Sequence, residues 1–81
     1  MSPKDLDRDA RAELRSLPAS LADKVALHLV TAGRALDEDP QRAHTHAWYA
    51  RQLAPRLAFV REAVGVTAYA IGDYAAALAE L

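Results

Sequence analysis

The chain has 81 residues, no cysteine and a formal net charge of -1, ten Lys+Arg against eleven Asp+Glu. These values exclude disulfides, thiolate metal sites and a cysteine nucleophile, and they leave no electrostatic footprint for nucleic acid or an anionic membrane. A domain this small buries only roughly 60% of its unfolded surface, so close packing, a partner or a twin copy must supply its stability.

In chain order, Ser2 followed by Pro3 fits an N-cap and a first-turn proline, where the missing N–H costs nothing. A first helix over about residues 3 to 17 puts Leu6, Ala10, Leu14 and Leu17 on one stripe, with Asp5, Asp7 and Asp9 toward its positive end. Pro18 closes it. Ser20 with Asp23 resembles a capping box and predicts a second helix running to about Leu36.

Asp39-Pro40 repeats the signal of a cap followed by a proline and predicts a third helix over residues 40 to 54, stopped by Pro55. Pro55 can itself open a fourth helix. That helix carries Leu57, Val60, Val64, Ala68 and Ile71 on one stripe and Phe59, Ala63, Val66 and Ala70 on another, a pattern that predicts burial on more than one face and a central position. Gly72 is its stop and Asp73 the cap of a fifth helix, Tyr74 to Leu81. No period-two alternation lasts long enough for a strand, so the fold class expected is all-α, an antiparallel array with short loops.

A slide of 34 residues superposes Asp39 on Asp73, Ala43 on Ala77, Val30 on Val64, Ala32 on Val66 and His28 on Glu62. Helices two and three thereby align with helices four and five. Val64-Gly65, the turn "GDY" at residues 72 to 74, the small residues Ala43, Ala50 and Ala77, and Pro55 at a helix end resemble the tetratricopeptide repeat, or TPR. The chain departs from that pattern at Arg61, where an aromatic is usual, at Thr31 in place of glycine, and at Arg34 and Ala68 in place of tyrosine. The string from "LRSLP" through "HLVTAGRALDEDPQRAHTHA" to the C-terminus is also similar to bacterial TPR-containing proteins of unassigned function.

The resemblance implies helix hairpins stacked as a short TPR-like solenoid of about five helices: an N-terminal capping helix over 1–19, a first hairpin over 20–57 and a second, incomplete hairpin over 58–81. A complete second repeat would continue beyond residue 81 and end in a polar capping helix. Either the array continues in a longer protein or another chain covers Leu78 and Leu81. The resemblance also implies a peptide groove lined by His28, Ala32, Ala35, Glu62, Val66 and Tyr69, largely apolar and without the Lys, Arg and Asn set that grips a terminal carboxylate. Packing of the same residues on helix one or on a twin chain is the plainer alternative.

Other chemistry finds little support in the residues. His44 and His46, two apart on a helix, point about 200° away from each other and cannot share an ion, and His28 has no ligand partner at i+3 or i+4. Ser and Thr residues stand without a histidine–acid motif, so no enzyme, cofactor or metal is expected. Arg42, Arg51, Arg56 and Arg61, with Trp48 and Tyr49, read as a solvated face with a packed tryptophan in preference to an RNA site.

The longest uncharged stretch, residues 63 to 72, is too short to cross a bilayer, and "MSPKDLDRDA" lacks the apolar core of a signal peptide. Nineteen alanines, eight arginines against two lysines and a single isoleucine suggest a GC-rich bacterial genome. The expectation is therefore a cytoplasmic, non-enzymatic TPR-like interaction module for a protein or peptide, with no nucleic-acid or membrane partner. The alternative is a self-associating helical bundle, a homodimer formed through its C-terminal helix.

Overall fold

The computed structural model describes residues 8–80, with side chains from Arg11 onward. Leu6, Asp5, Asp7, the Ser2-Pro3 signal and Leu81 lie outside the described residues, and of Asp9 and Ala10 only the backbone is described. Five helices follow one another: α1 (Arg8–Leu14), α2 (Ala19–Ala35), α3 (Pro40–Leu53), α4 (Ala58–Ala70) and α5 (Tyr74–Glu80). The protein is all-α, with no strand among the described residues. Its radius of gyration is 11.6 Å, close to the about 12 Å of a globular chain this long.

Two of the caps form as the sequence predicts. The Arg42 amide donates to Asp39 Oδ1 at 3.1 Å with Pro40 in the first turn, and the Ala76 amide donates to Asp73 Oδ1 at the same 3.1 Å. Each satisfies a helix-end N–H that has no intrahelical acceptor. Gly72 has a φ of +85°, the only left-handed residue of the described backbone, and its amide donates to the Tyr69 carbonyl.

Two boundaries differ from expectation. Ser20 does not cap α2: Pro18, with φ -54° and ψ 145°, delivers an extended entry, and the helix begins at Ala19 with Ser20 already inside it. The Ala22 amide donates to the Pro18 carbonyl at 2.9 Å, closing the first turn with no side-chain cap. Pro55 does not open α4 either. It occupies a turn with Arg56, and Leu57, extended at φ -79° and ψ 125°, precedes the first helical residue, Ala58.

Leu57 has no side chain with which to cap α4, and the missing acceptor comes from α1. Glu13 takes the Ala58 amide on Oε2 at 2.9 Å and the Phe59 amide on Oε1 at 3.3 Å. One carboxylate thus satisfies two orphan donors and sits on the positive end of the α4 dipole. Leu14 and Leu17 extend the contact as partly buried neighbours of the core.

That core joins α2, α3 and α4. Val25, Leu29, Ala50, Ala54, Leu57 and Val60 form one buried cluster, and Ala32, Ala43, Ala47 and Val64 form a second along the same seam. Helix α3 lies against both α2 and α4 and buries only alanines, Ala43, Ala47 and Ala50. Methyl groups at the contact let the axes approach closely, which larger side chains prevent. Helix α4 packs on α3 and α5 but keeps a third face open: Val60, Val64 and Ala68 are buried, whereas Val66 and Tyr69 are exposed. It is less enclosed than its apolar sequence predicts.

Candidate interaction surface

The six groove positions do not share one face. Ala32 is buried in the second core cluster, Ala35 packs against that cluster half-buried, and His28 turns toward α3. Glu62, Val66 and Tyr69, spaced four and three apart on α4, form an open stripe. The half of the expected groove on α2 is filled by α3, and the half on α4 is accessible.

The 34-residue offset explains the split. Ala26 and Val30 map onto Val60 and Val64, and all four are buried. Ala32 maps onto Val66, however, which is exposed, and Arg34, exposed, maps onto the buried Ala68. Relative to its counterpart, α4 is turned so that it buries Thr67 and Ala68.

Helix α5 extends the open stripe. The rings of Tyr69 and Tyr74 meet across the Gly72 turn with centroids 5.2 Å apart, and Leu78 follows Tyr74 one turn later on the same side of α5. Exposure is 42% at Val66, 65% at Tyr69, 59% at Tyr74 and 80% at Leu78. A run of four large apolar side chains open to water is uncommon in a domain this small. Val66 and Tyr69 are among the groove positions that the repeat resemblance implies, whereas Tyr74 joins the stripe through its position one residue after the Asp73 cap.

Polar contacts tie α5 to both α3 and α4. Arg51 Nε lies 2.8 Å from Glu80 Oε1 and Arg61 Nε 3.6 Å from Glu80 Oε2. The 2.8 Å contact is an ion contact in which Arg51 Nε–H completes no hydrogen bond, and Glu80 Oε2, with Arg61 Nε 3.6 Å away, accepts none. The four arginines singled out in the sequence are therefore divided: Arg51 and Arg61 share Glu80, while Arg42 and Arg56 are exposed elsewhere. Trp48 is about half exposed, edge-on to Tyr49, and is not the packed tryptophan expected.

Two histidine contacts cross between helices. The Thr67 hydroxyl donates its one proton to the Ala63 carbonyl at 2.8 Å, which leaves its oxygen as the acceptor for His44 Nδ1–H at 2.9 Å. His28 Nδ1 and His46 Nδ1 lie 3.0 Å apart, one donating to the other, and the His28 ring also stacks obliquely near Tyr49. Burial, and secondarily the neighbouring His46, holds the His28 pKa below the ordinary 6.5. The pair escaped sequence reasoning because it spans two helices, although each residue lies nine positions from residue 37 at the centre of the hairpin turn.

No helix among the described residues is long and apolar enough to cross a membrane. No family model matches the chain, and none of the curated proteins or solved structures compared with it matches either.

Proposed function

We propose that this chain is a non-enzymatic, TPR-like module that binds an apolar protein or peptide segment on the face formed by α4 and α5. One observation carries the reading: Val66, Tyr69, Tyr74 and Leu78 stand open to water along a single strip. Tyrosines combine a large apolar body with a polar tip and bring little rotamer freedom to lose, which makes them efficient anchors for a partner. The strip is long enough for an amphipathic helix presenting apolar side chains at i, i+4 and i+7.

The TPR-like part of the proposal draws support from the equivalence of Asp39 and Asp73, 34 residues apart, each with a 3.1 Å cap bond and each followed four residues later by a buried alanine. A cytoplasmic, bacterial setting goes with the same proposal. Tyr69→Ala or Val66→Asp should abolish capture of the partner while the circular dichroism spectrum stays helical. Retained capture by both variants would refute the surface.

A second reading is favoured by Leu78, the most exposed large apolar side chain described. In it the α5 face is covered by a second copy, giving a homodimer related by a twofold axis. Light scattering at micromolar concentration separates the readings, because a monodisperse monomer excludes the dimer.

A further inference from the structure

The His28–His46 pair has a geometry that a shared proton does not exhaust. Two imidazole Nδ1 atoms directed at one another at 3.0 Å are held together by N–H···N, and the same two lone pairs can converge on a metal once the intervening proton moves to the donor ring's Nε2. That shift is a change of tautomer through solvent and alters no net charge. Neither histidine is fully buried, so an ion has access.

The separation selects among ions. With metal–nitrogen bonds of about 2.05 Å, nitrogens 3.0 Å apart subtend about 94° at the metal. A tetrahedral zinc site needs them about 3.3 Å apart, whereas cis positions of a square-planar or octahedral ion need about 2.9 Å. Each ring turns by roughly 40° to bring its lone pair from the partner nitrogen onto the ion. Among the described residues no group of three His, Cys, Asp or Glu side chains gathers, so no described carboxylate joins the pair and water would complete the coordination. Two neutral nitrogens without a carboxylate do not suit hard Ca²⁺, Mg²⁺ or Mn²⁺, and they suit Cu²⁺ best among first-row divalent ions.

We propose that His28 and His46 form a two-imidazole chelate, closed across the α2–α3 hairpin through both Nδ1 atoms, for a late first-row divalent metal, Cu²⁺ ahead of Ni²⁺ and Zn²⁺. His44 lies outside it, since its Nδ1–H is committed to Thr67 on the α4 side of α3. The site is independent of the apolar strip.

The test titrates Cu²⁺, Ni²⁺ and Zn²⁺ separately into the metal-free full chain at pH 7.5. The expected result is one Cu²⁺ per chain, with superhyperfine coupling to two nitrogens in its electron paramagnetic resonance spectrum. His28→Ala and His46→Ala should each weaken binding by at least about tenfold, the lower end of what disturbing a metal ligand's support already costs. His44→Ala should leave it unchanged. Should either alanine variant lose helicity, Ni²⁺-induced broadening in the wild-type NMR spectrum replaces it, and broadening that is centred on His28 and His46 and fades with distance from them supports the chelate. Equal losses in all three variants, undiminished binding in the His28 and His46 variants, broadening centred on His44, or Zn²⁺ bound more tightly than Cu²⁺ would each overturn the proposal.

Discussion

Glu13 and Ala58, 45 residues apart, are joined by a hydrogen bond of 2.9 Å from the Ala58 amide to the Glu13 carboxylate. With the companion bond from Phe59, it supplies the cap that the sequence around Leu57 lacks. Glu13→Ala should cost about 1 kcal/mol, the usual value of a helix N-cap, and lower the melting temperature by about 4–8 °C in a domain of this size. Hydrogen exchange should quicken first in residues 8–14 and at the start of α4. Unchanged exchange in α1 would show that Leu14 and Leu17 hold it without the carboxylate.

Gly72 offers a clean separation of backbone from packing. A Cβ placed there meets no heavy atom within 4 Å, while φ stands at +85°. Gly72→Ala should therefore destabilise by about 1–2 kcal/mol through backbone strain alone, and Gly72→Asn by less, since asparagine tolerates left-handed geometry. Chemical denaturation of the two variants measures the difference. Equal losses would mean that the turn relaxes to negative φ.

The alanine face of α3 fixes the sign of a core substitution. Ala47 is fully buried between α2 and α4, so Ala47→Leu should destabilise by about 1–3 kcal/mol through overpacking despite the added apolar surface. Val60, also fully buried, should lose on the order of 2 kcal/mol on truncation to alanine. Urea midpoints for both variants check the pair; a stabilised Ala47→Leu protein would reveal unfilled space along the seam.

His28 makes stability depend on pH in a stated direction. Its folded-state pKa lies below the unfolded 6.5, because burial and then His46 disfavour the charged ring. Between the two values the unfolded chain binds more protons, so stability is full above about 6.5 and declines as pH falls through the lower folded-state value. In chelator-treated buffer, melting temperatures from pH 7.5 down to 5 should fall, and His28→Gln should flatten that slope. A slope that persists in the variant would assign it to other groups.

Much of this fold was legible where the controlling interaction is local. Asp39-Pro40 and Gly72-Asp73 carry their own geometry within four residues, and α3 and α5 begin where the sequence places them, at Pro40 and Tyr74. Ser20 misled because a cap motif competes with the residue before it, and the fixed φ of Pro18 starts the helix first. The contacts that cross between helices, Glu13 to Ala58, His28 to His46 and Arg51 to Glu80, leave no trace in periodicity and required the packing to be known. The groove positions part company for a related reason: identical spacing in two helices does not set their rotation, so Ala32 is buried on α2 while Val66, 34 residues on, is exposed on α4.

The carboxylate of Glu13 can reach its two donors only after the intervening chain has brought the start of α4 into place. Loop closure over so long a span is slow relative to local helix formation. Helix α1 should therefore dock after α2 to α4 have assembled. Limited proteolysis should then cut within α1 before it cuts the hairpins that follow.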